Sequence, residues 1–501
     1  MSDKRETDDT TTDHKIEMTG IKDIDSLEQI EKVDDTITPF IYSPAEKRLK
    51  RKIDRSFLPL VCIVLFVQFA DKSTLNVAAV LGLYEDTHIT KNEFALVGSL
   101  FYVGYLAFQI PNNFLIQRVP ISKYMGLILV LWGVSLGCTA LSKGFGGLAA
   151  CRVILGFFEA VTYPCIFILI ASFYRRHEQI FYVSSMFIAN AVATALGGLI
   201  GYGIGNMQGL NGLSAWQYGF IIWGAVTVTL GIVFFFFLPD HPKSRWFRLT
   251  PEESLIVDER MLDSGTAQDT TFNINHVWEA LKDPKYYCYC ALSCLCNLQN
   301  GSLTVFSTQI IQEIGFTNLQ SILLNIPNGC CGALLIIIST YLSRRYNEIC
   351  FVAMGMTLIS MTGVLLLGLI SHGPVKLLGI YLAYGCTPMY ILMQTSISNN
   401  VKGYSKKVFY TSSQLVWYTI GNFVGPQMMD NQSSPYLGAM LGFTGANIIA
   451  FFLYGYVRWS LVRANLRRGF PAKPSAAGQF DYSKKVDDRT DVEDVSFVYR
   501  P

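Results

Sequence analysis

Apolar residues in this chain come in long blocks rather than in alternation. Twelve such runs can be marked, at 57–80, 94–116, 121–141, 147–172, 180–206, 216–238, 286–311, 318–342, 348–370, 375–397, 408–429 and 436–460. A helix of roughly 20 apolar residues is long enough to cross a bilayer. The pattern therefore predicts an all-α membrane protein with twelve transmembrane helices. Between the sixth and seventh runs the chain turns polar, and Leu238–Glu253 reads LPDHPKSRWFRLTPEE. Thr250-Pro251 followed by acidic residues is a helix-start signal, so a short helix is expected from Pro251 to Met261. The gap divides the chain into two six-helix bundles, 54–238 and 286–462, joined by a linker at 239–285. Tails of 1–53 and 463–501 flank them. Met1–Asp35 is rich in Asp, Glu and Thr and has too few apolar positions to bury a core, so it is expected to be disordered.

Charge sets the orientation. Only 16% of residues are charged, against 51% hydrophobic, which is unlike a soluble domain. With the first tail inside, the inner loops hold Arg118, Lys123, Arg175, Arg176, Lys243, Arg245, Arg248, Arg344, Arg345, Lys402, Lys406 and Lys407. The outer loops hold Lys91, Lys143 and Lys376. This bias puts both termini and the linker in the cytosol. Lys47–Arg55 is basic and is expected at the cytoplasmic leaflet. No signal peptide is read at the N-terminus, so insertion is expected to use the first span. The near-zero net charge says nothing about nucleic acid, and the positive charges sit in short blocks beside apolar spans, as membrane topology demands. Cys288/Cys290 and Cys294/Cys296 have no histidine partners, so they read as packing residues, with no metal or cofactor implied. Asn431-Gln-Ser is a glycosylation pattern on a very short outer loop.

Candidate chemistry stands out as polar residues inside apolar runs. Ala150–Pro164, ACRVILGFFEAVTYP, carries Arg152 and Glu159 seven residues apart, on one helix face, with Gly156 between them. Charges within a span face a bundle interior or a wet cavity. Two readings are open: the charged wall of a transport pathway, or an ion pair locking helices. Gly156 would admit a helix or a substrate. In span one, adjacent Asp71 and Lys72 point about 100° apart. They form either a titrating or substrate-pairing site, or a structural pair with Arg152. Span five is crowded by Gly197, Gly198, Gly201, Gly203 and Gly205, which suits close packing and a hinge.

The second half has no ionised residue deep in a span. It offers Asn297, Gln299 and Asn300 in span seven, and Asn325 and Asn328 around Pro327 in span eight. Tyr384, Thr387, Tyr390 and Gln394 lie in span ten, and Gln414, Tyr418 and Asn422 in span eleven. Tyr384, Thr387 and Gln394 share roughly one helical face. Each of these groups can bind a polar substrate or a neighbouring helix equally well. Gly425-Pro426 reads as a helix break. Charge and proton handling thus fall to the first half, and neutral recognition to the second. The basic turns IQRVPISK at Ile116–Lys123 and SRRYNE at Ser343–Glu348 follow the second span of each half and suggest internal symmetry.

Several motifs then resemble a known family. Arg-x-x-x-Gly-x-x-Glu at Arg152–Glu159, FADKSTLN at Phe69–Asn76, the Leu238–Glu253 linker, NNVKGYSKK at Asn399–Lys407 and GNFVGPQ at Gly421–Gln427 are similar to those of the major facilitator superfamily. They resemble in particular its anion:cation symporter branch and the fungal allantoate permease-like transporters. The loop after span two departs from the family pattern, since NNFLIQRVP keeps only Arg118. The resemblance implies a proton-coupled importer of a small organic anion, such as a ureido-acid like allantoate, a dipeptide or a vitamin-like carboxylate. Its proton-coupling residues would be Glu159 and Asp71. Arg152, Lys72, Asn297, Asn300, Tyr384, Thr387, Gln394 and Asn422 would bind substrate. The expected partners are substrate, protons and the bilayer of the plasma membrane, with no nucleic acid, and the expected state is a monomer. A carrier of a neutral or cationic vitamin-type solute and a non-transporting nutrient sensor are the alternatives. No nucleophile–base constellation suggests an enzyme.

Overall fold

The computed structural model describes residues 43–116, 118–264, 273–370, 373, 375–429, 436–472 and 489–501. Asn431 and the expected disordered tail at Met1–Asp35 lie outside them. The first half contains α1 (Pro44–Val80), α2 (Leu83–Thr87), α3 (Lys91–Ile116), α4 (Ile121–Thr139), α5 (Phe145–Glu159), α6 (Thr162–Phe173), α7 (Arg176–Gly205) and α8 (Ala215–Phe237). The linker carries α9 (Pro251–Ser264), where the sequence predicts a helix, and α10 (Ile274–Lys282). The second half contains α11 (Pro284–Glu313), α12 (Asn318–Leu323), α13 (Asn325–Tyr346), α14 (Ile349–Leu369), α15 (Val375–Ala383), α16 (Cys386–Asn400), α17 (Tyr404–Gln427) and α18 (Leu437–Arg467).

Among the described residues nine helical stretches are long and apolar enough to cross a membrane. Helices α3, α11 and α17, of 26, 30 and 24 residues, complete the twelve spans. The fold is all-α, two six-helix bundles. Helix α1 is capped by Ser43, whose hydroxyl accepts from Glu46 N at 3.1 Å, with Pro44 at the first helical position. It therefore starts within the stretch read as tail from sequence.

Three spans are broken in the middle, each with a proline three or four residues past the break, although Pro59 and Pro111 lie inside the unbroken α1 and α3. Proline has no N–H and its ring clashes with the carbonyl four residues earlier. Pro164 acts on Ala160, Pro327 on Leu323 and Pro388 on Tyr384. The breaks fall at these places, between α5 and α6, α12 and α13, and α15 and α16. The first and third occupy the fourth span of each half, so the internal symmetry extends to helix geometry. Pro426, by contrast, lies in the last turn of α17, which runs unbroken to Gln427. The helix break expected at Gly425-Pro426 is only a helix end.

Close packing rests on missing side chains. A methyl at Gly156 would overlap the Phe101 carbonyl, and one at Gly104 the Val153 carbonyl, so α5 lies directly on α3. Gly156 therefore admits a helix. In the second half Gly421 and Gly425 do the same for α17 on α11. Gly198 of the glycine-rich α7 faces the Ile322 carbonyl of α12, across the two halves.

The two ends of the molecule are built differently. At the linker end, α9 is fastened to the first half. Arg260 bonds Glu46 at 3.0 Å and Glu178 at 2.5 Å, and Lys52 bonds Glu253 at 2.7 Å. The N–H and hydroxyl of Ser122 both donate to Asp240, so a linker carboxylate caps α4 after the second-span turn. The far end joins the halves. Asn76 on α1 donates to the Ser307 hydroxyl at 2.7 Å and accepts from Thr308 N at 3.0 Å. Tyr84 donates to Gln309 at 3.0 Å, Asn318 donates to the Val80 carbonyl at 2.8 Å, and Lys91 pairs with Glu313 at 3.0 Å.

Candidate functional site

Helix α1 is the spine of the site. Its residues Gln68, Lys72 and Asn76 recur at four-residue spacing and so line one stripe, with Asp71 to one side of it. The lower members meet α5 where Pro164 ends it, at Glu159. The Lys72 ammonium lies 2.7 Å from Glu159 Oε1, and the Gln68 amide donates to the same oxygen at 2.7 Å. Asp71 turns the other way and accepts from the Trp132 indole N–H on α4 at 2.8 Å. Gln68, Asp71 and Glu159 are fully buried, and the Lys72 side chain keeps 17% exposure.

Arg152 is not the partner of Glu159 that the one-face argument suggested. Seven residues put them about 10 Å apart along the helix, beyond the reach of neighbouring turns. Lysine on a different helix fills the place. The Arg152 guanidinium is buried against α8, 5.5 Å from the Phe220 ring, and feels the charges of Asp71 and Glu159. Arg152 Nε and Nη2, Asp71 Oδ1, Glu159 Oε2 and Gln68 Oε1 have no hydrogen-bond partner. Two acids and two bases, all buried but the part-exposed Lys72, thus lie together with spare bonding capacity.

Lys72 also faces an aromatic wall. Its ammonium is 5.2 Å from the Phe101 ring. Ring contacts continue from Phe101 to Tyr102 at 5.1 Å, from Tyr102 to Tyr418 at 6.2 Å and from Tyr418 to Tyr390 at 5.5 Å. Tyr390 then accepts from Gln394 at 2.9 Å. This chain leads from the charged cluster of the first half to α16 of the second.

The second-half candidates separate into groups. Asn422, fully buried on α17, donates to Asn297 Oδ1 at 3.1 Å and accepts from Asn300 at 3.0 Å, so these three form one amide chain. Gln394 belongs to the aromatic chain instead. Tyr384 and Thr387 flank the proline break, and Tyr384 lies beside Asn328 and Ser307. The break is why Tyr384, Thr387 and Gln394 do not form the single face that spacing suggested. Asn328 is buried, and neither of its side-chain amide atoms meets hydrogen-bond geometry, although the Tyr384 hydroxyl lies close by. Gln299, buried on α11, bonds the Ala383 carbonyl at 2.6 Å and Ser360 at 3.0 Å, which ties the second half together.

Sequence reasoning missed Gln68, Trp132, Phe101 and Tyr102. Gln68 had a signal, one turn before the Asp71–Lys72 pair. The aromatic residues lie in apolar runs where nothing marks them.

Comparison with known proteins agrees with this architecture. An uncharacterised transporter of Schizosaccharomyces pombe, C1773.15, is 29% identical over 490 residues, covering 97% of this chain and 98% of that protein. The Saccharomyces cerevisiae allantoate permease is 29% identical, with 91% and 86% covered. The thiamine pathway transporter THI73 of the same yeast is 28% identical, with 90% and 86% covered. Among solved structures, a bacterial homolog of the human lysosomal transporter Spinster superposes with a TM-score of 0.65 at 13% identity, covering 81% of this chain and 97% of its own. The Major Facilitator Superfamily model matches residues 61–426. The chain belongs to the Major Facilitator Superfamily, as a multi-pass membrane transporter similar to the fungal allantoate permease and not an enzyme.

Proposed function

We propose that the protein imports a small organic anion together with a proton across the plasma membrane, as a monomer with both termini and the linker cytosolic. The single observation that carries this reading is the Lys72–Glu159 pair, at 2.7 Å, inside a cluster of two acids and two bases. In ordinary ionisation states that cluster is neutral. A substrate carboxylate that binds Lys72 competes with Glu159 for it and adds one negative charge. A buried carboxylate left without its cation is costly by several kcal/mol, and a proton on Glu159 removes the cost. Bound anion and bound proton therefore favour each other. The proton also cancels the charge that a negative-inside potential opposes at about 2.3 kcal/mol per 100 mV.

In this mechanism Lys72 grips the substrate and Glu159 takes the proton. Arg152, buried beside Asp71 and Glu159, acts as a fixed counter-charge. Asp71, held by Trp132, is the second acid available to titrate. Tyr102, Tyr418 and Tyr390 form a wall along which the body of the substrate lies. Asn328 and Gln394 supply amide contacts, which suit a ureido or amide group, and the closed Asn297–Asn422–Asn300 chain holds the wall behind them. With the linker end in the cytosol, the latch of Asn76, Ser307 and Thr308 closes the outer end.

A neutral or cationic solute is the second reading, since aromatic rings also suit a cation. The Lys72 ammonium within the aromatic wall disfavours it. The test is uptake of labelled allantoate, a dipeptide and thiamine by transporter-deficient yeast expressing the chain, with and without a protonophore. Uptake of the carboxylated compounds that collapses with the protonophore is expected. Uptake of thiamine alone, or uptake indifferent to the protonophore, would overturn the reading.

A further inference from the structure

At the linker end of the second half, residues 489–501 return and lie buried against it. Thr490, Asp491 and Tyr499 are 0%, 1% and 2% exposed. Two buried asparagines pair with the segment's backbone in both directions. Asn465 donates to the Tyr499 carbonyl at 2.8 Å and accepts from Tyr499 N at 2.9 Å. Asn400 donates to the Arg500 carbonyl at 2.8 Å and accepts from Arg500 N at 2.6 Å. Ile349 N, at the start of α14, donates to the Pro501 carbonyl at 2.8 Å. Arg468 donates to the Asp491 and Phe497 carbonyls, both at 2.8 Å, and lies over the Tyr499 ring.

Side chains add selectivity. Asp491 Oδ1 lies 2.6 Å from the Nζ of fully buried Lys406, and Asp491 Oδ2 accepts from the Tyr499 hydroxyl at 2.8 Å. Lys406 also bonds Glu279 of α10 at 2.7 Å, and Thr490 donates to the other oxygen of Glu279 at 2.9 Å. Lys402 bonds Asp494 at 2.5 Å. Lys402 and the Ser496 hydroxyl hold the Asp494 carboxyl down at about 2, so this contact is charged across the neutral range. Glu493 stands 3.9 Å from His276.

We propose that residues 489–501 are an intramolecular peptide ligand, seated in a groove whose walls are α10, α11, α14, α16, α17 and α18, and that this groove binds a free peptide of the same sequence. The combination is that of a peptide receptor: backbone bonds give affinity and side-chain pockets give selectivity. Without the segment, Asn465 would lose both of its partners on Tyr499, Asn400 would keep only Ser396 of its own helix, and Lys406 would lose one of its two carboxylates, which is costly for buried groups. The occupied groove fastens the linker-end tips of the second half, and the turn between α16 and α17, into one body. It is separate from the Lys72–Glu159 site.

The test uses purified protein lacking residues 489–501 and a fluorescein-labelled synthetic peptide, RTDVEDVSFVYRP. Fluorescence anisotropy is expected to show saturable binding to the truncated protein and little binding to the intact one, whose groove is filled. A peptide carrying Asp491→Asn is expected to bind about tenfold more weakly or worse, since a charge-assisted bond is lost. Absence of saturable binding to monodisperse truncated protein, or equal binding to both proteins, would overturn the proposal. If the truncated protein does not stay folded, intact protein carrying Asp491→Asn serves instead. Chymotrypsin cleavage after Phe497 is then expected to run about tenfold faster than in the unaltered protein, and an unchanged rate would overturn the proposal.

Discussion

The two halves share a helical plan but fill it with opposite chemistry. In the first half, four charged groups and Gln68 lie together, all buried but the part-exposed Lys72, and five of their polar atoms have no partner: Arg152 Nε and Nη2, Asp71 Oδ1, Glu159 Oε2 and Gln68 Oε1. In the second half, the amides at similar depth are closed on one another. Gln299 bonds Ser360, the Ala383 carbonyl and Asn447, and Asn422 bonds Asn297, Asn300 and the Tyr418 carbonyl. A closed network holds a shape, and it resists exchange because any broken bond leaves a buried group unpaired. A cluster with spare capacity can change partners. The first half thus suits binding and release of charge, and the second suits a rigid wall. Asn328 departs from this pattern at one of the three proline breaks: it is buried beside Tyr384 with neither amide atom in good hydrogen-bond geometry, and Gln309 Nε2 is likewise unpartnered.

The largest expected effect comes from breaking the charged cluster. Lys72→Ala leaves Glu159 with Gln68 alone, and a broken buried pair costs about 3–5 kcal/mol. Uptake at matched membrane abundance should fall by about a hundredfold or more, with Lys72→Arg keeping a measurable fraction. An active, well-expressed Lys72→Ala would dissolve the contrast between the halves.

Two amides of the second half sharpen the comparison because they predict different failures. Asn328→Ala should raise KM about tenfold, the loss of one or two hydrogen bonds to substrate, with little change in protein abundance. Gln299→Leu should lower abundance and melting temperature and leave the KM of the remaining protein nearly unchanged. Interchanged outcomes would reassign the recognition surface. The smallest effect belongs to the far-end pair. Lys91 is half exposed. Lys91→Gln should therefore change uptake by no more than about threefold, as surface ion pairs contribute about 1 kcal/mol or less.

Much of the fold is legible in the chain. The apolar runs mark the spans and the Thr250-Pro251 signal marks α9, whereas the breaks near Pro164 and Pro388 go unread, since prolines such as Pro59 and Pro111 also lie in unbroken helices. The site is legible only in part. Asp71, Lys72, Arg152 and Glu159 announce themselves as charges in apolar surroundings. Their pairing does not, because it depends on which helices touch. Gly156 and Gly104 bring α5 onto α3, and Glu159 meets Lys72 from α1. Spacing along one helix has no access to such contacts, which is why Arg152 looked like the partner. Trp132 shows the same limit from the other side, since an indole in an apolar run looks like packing until an aspartate is found at its N–H. Residues 489–501 were read as part of a tail because their partners, Asn400, Lys406 and Asn465, lie scattered over three helices.

The central claim is that Glu159 exchanges Lys72 for a proton when substrate binds. Glu159→Gln tests it most directly, because the amide keeps the shape and cannot take up a proton to become neutral. Purified protein in liposomes would be assayed twice, for exchange of labelled against unlabelled substrate at equal pH, and for accumulation driven by a pH gradient. The account predicts that exchange survives within several-fold of the unaltered protein while gradient-driven accumulation is lost. Full gradient-driven accumulation by a well-folded Glu159→Gln protein would contradict it and move the proton site to Asp71.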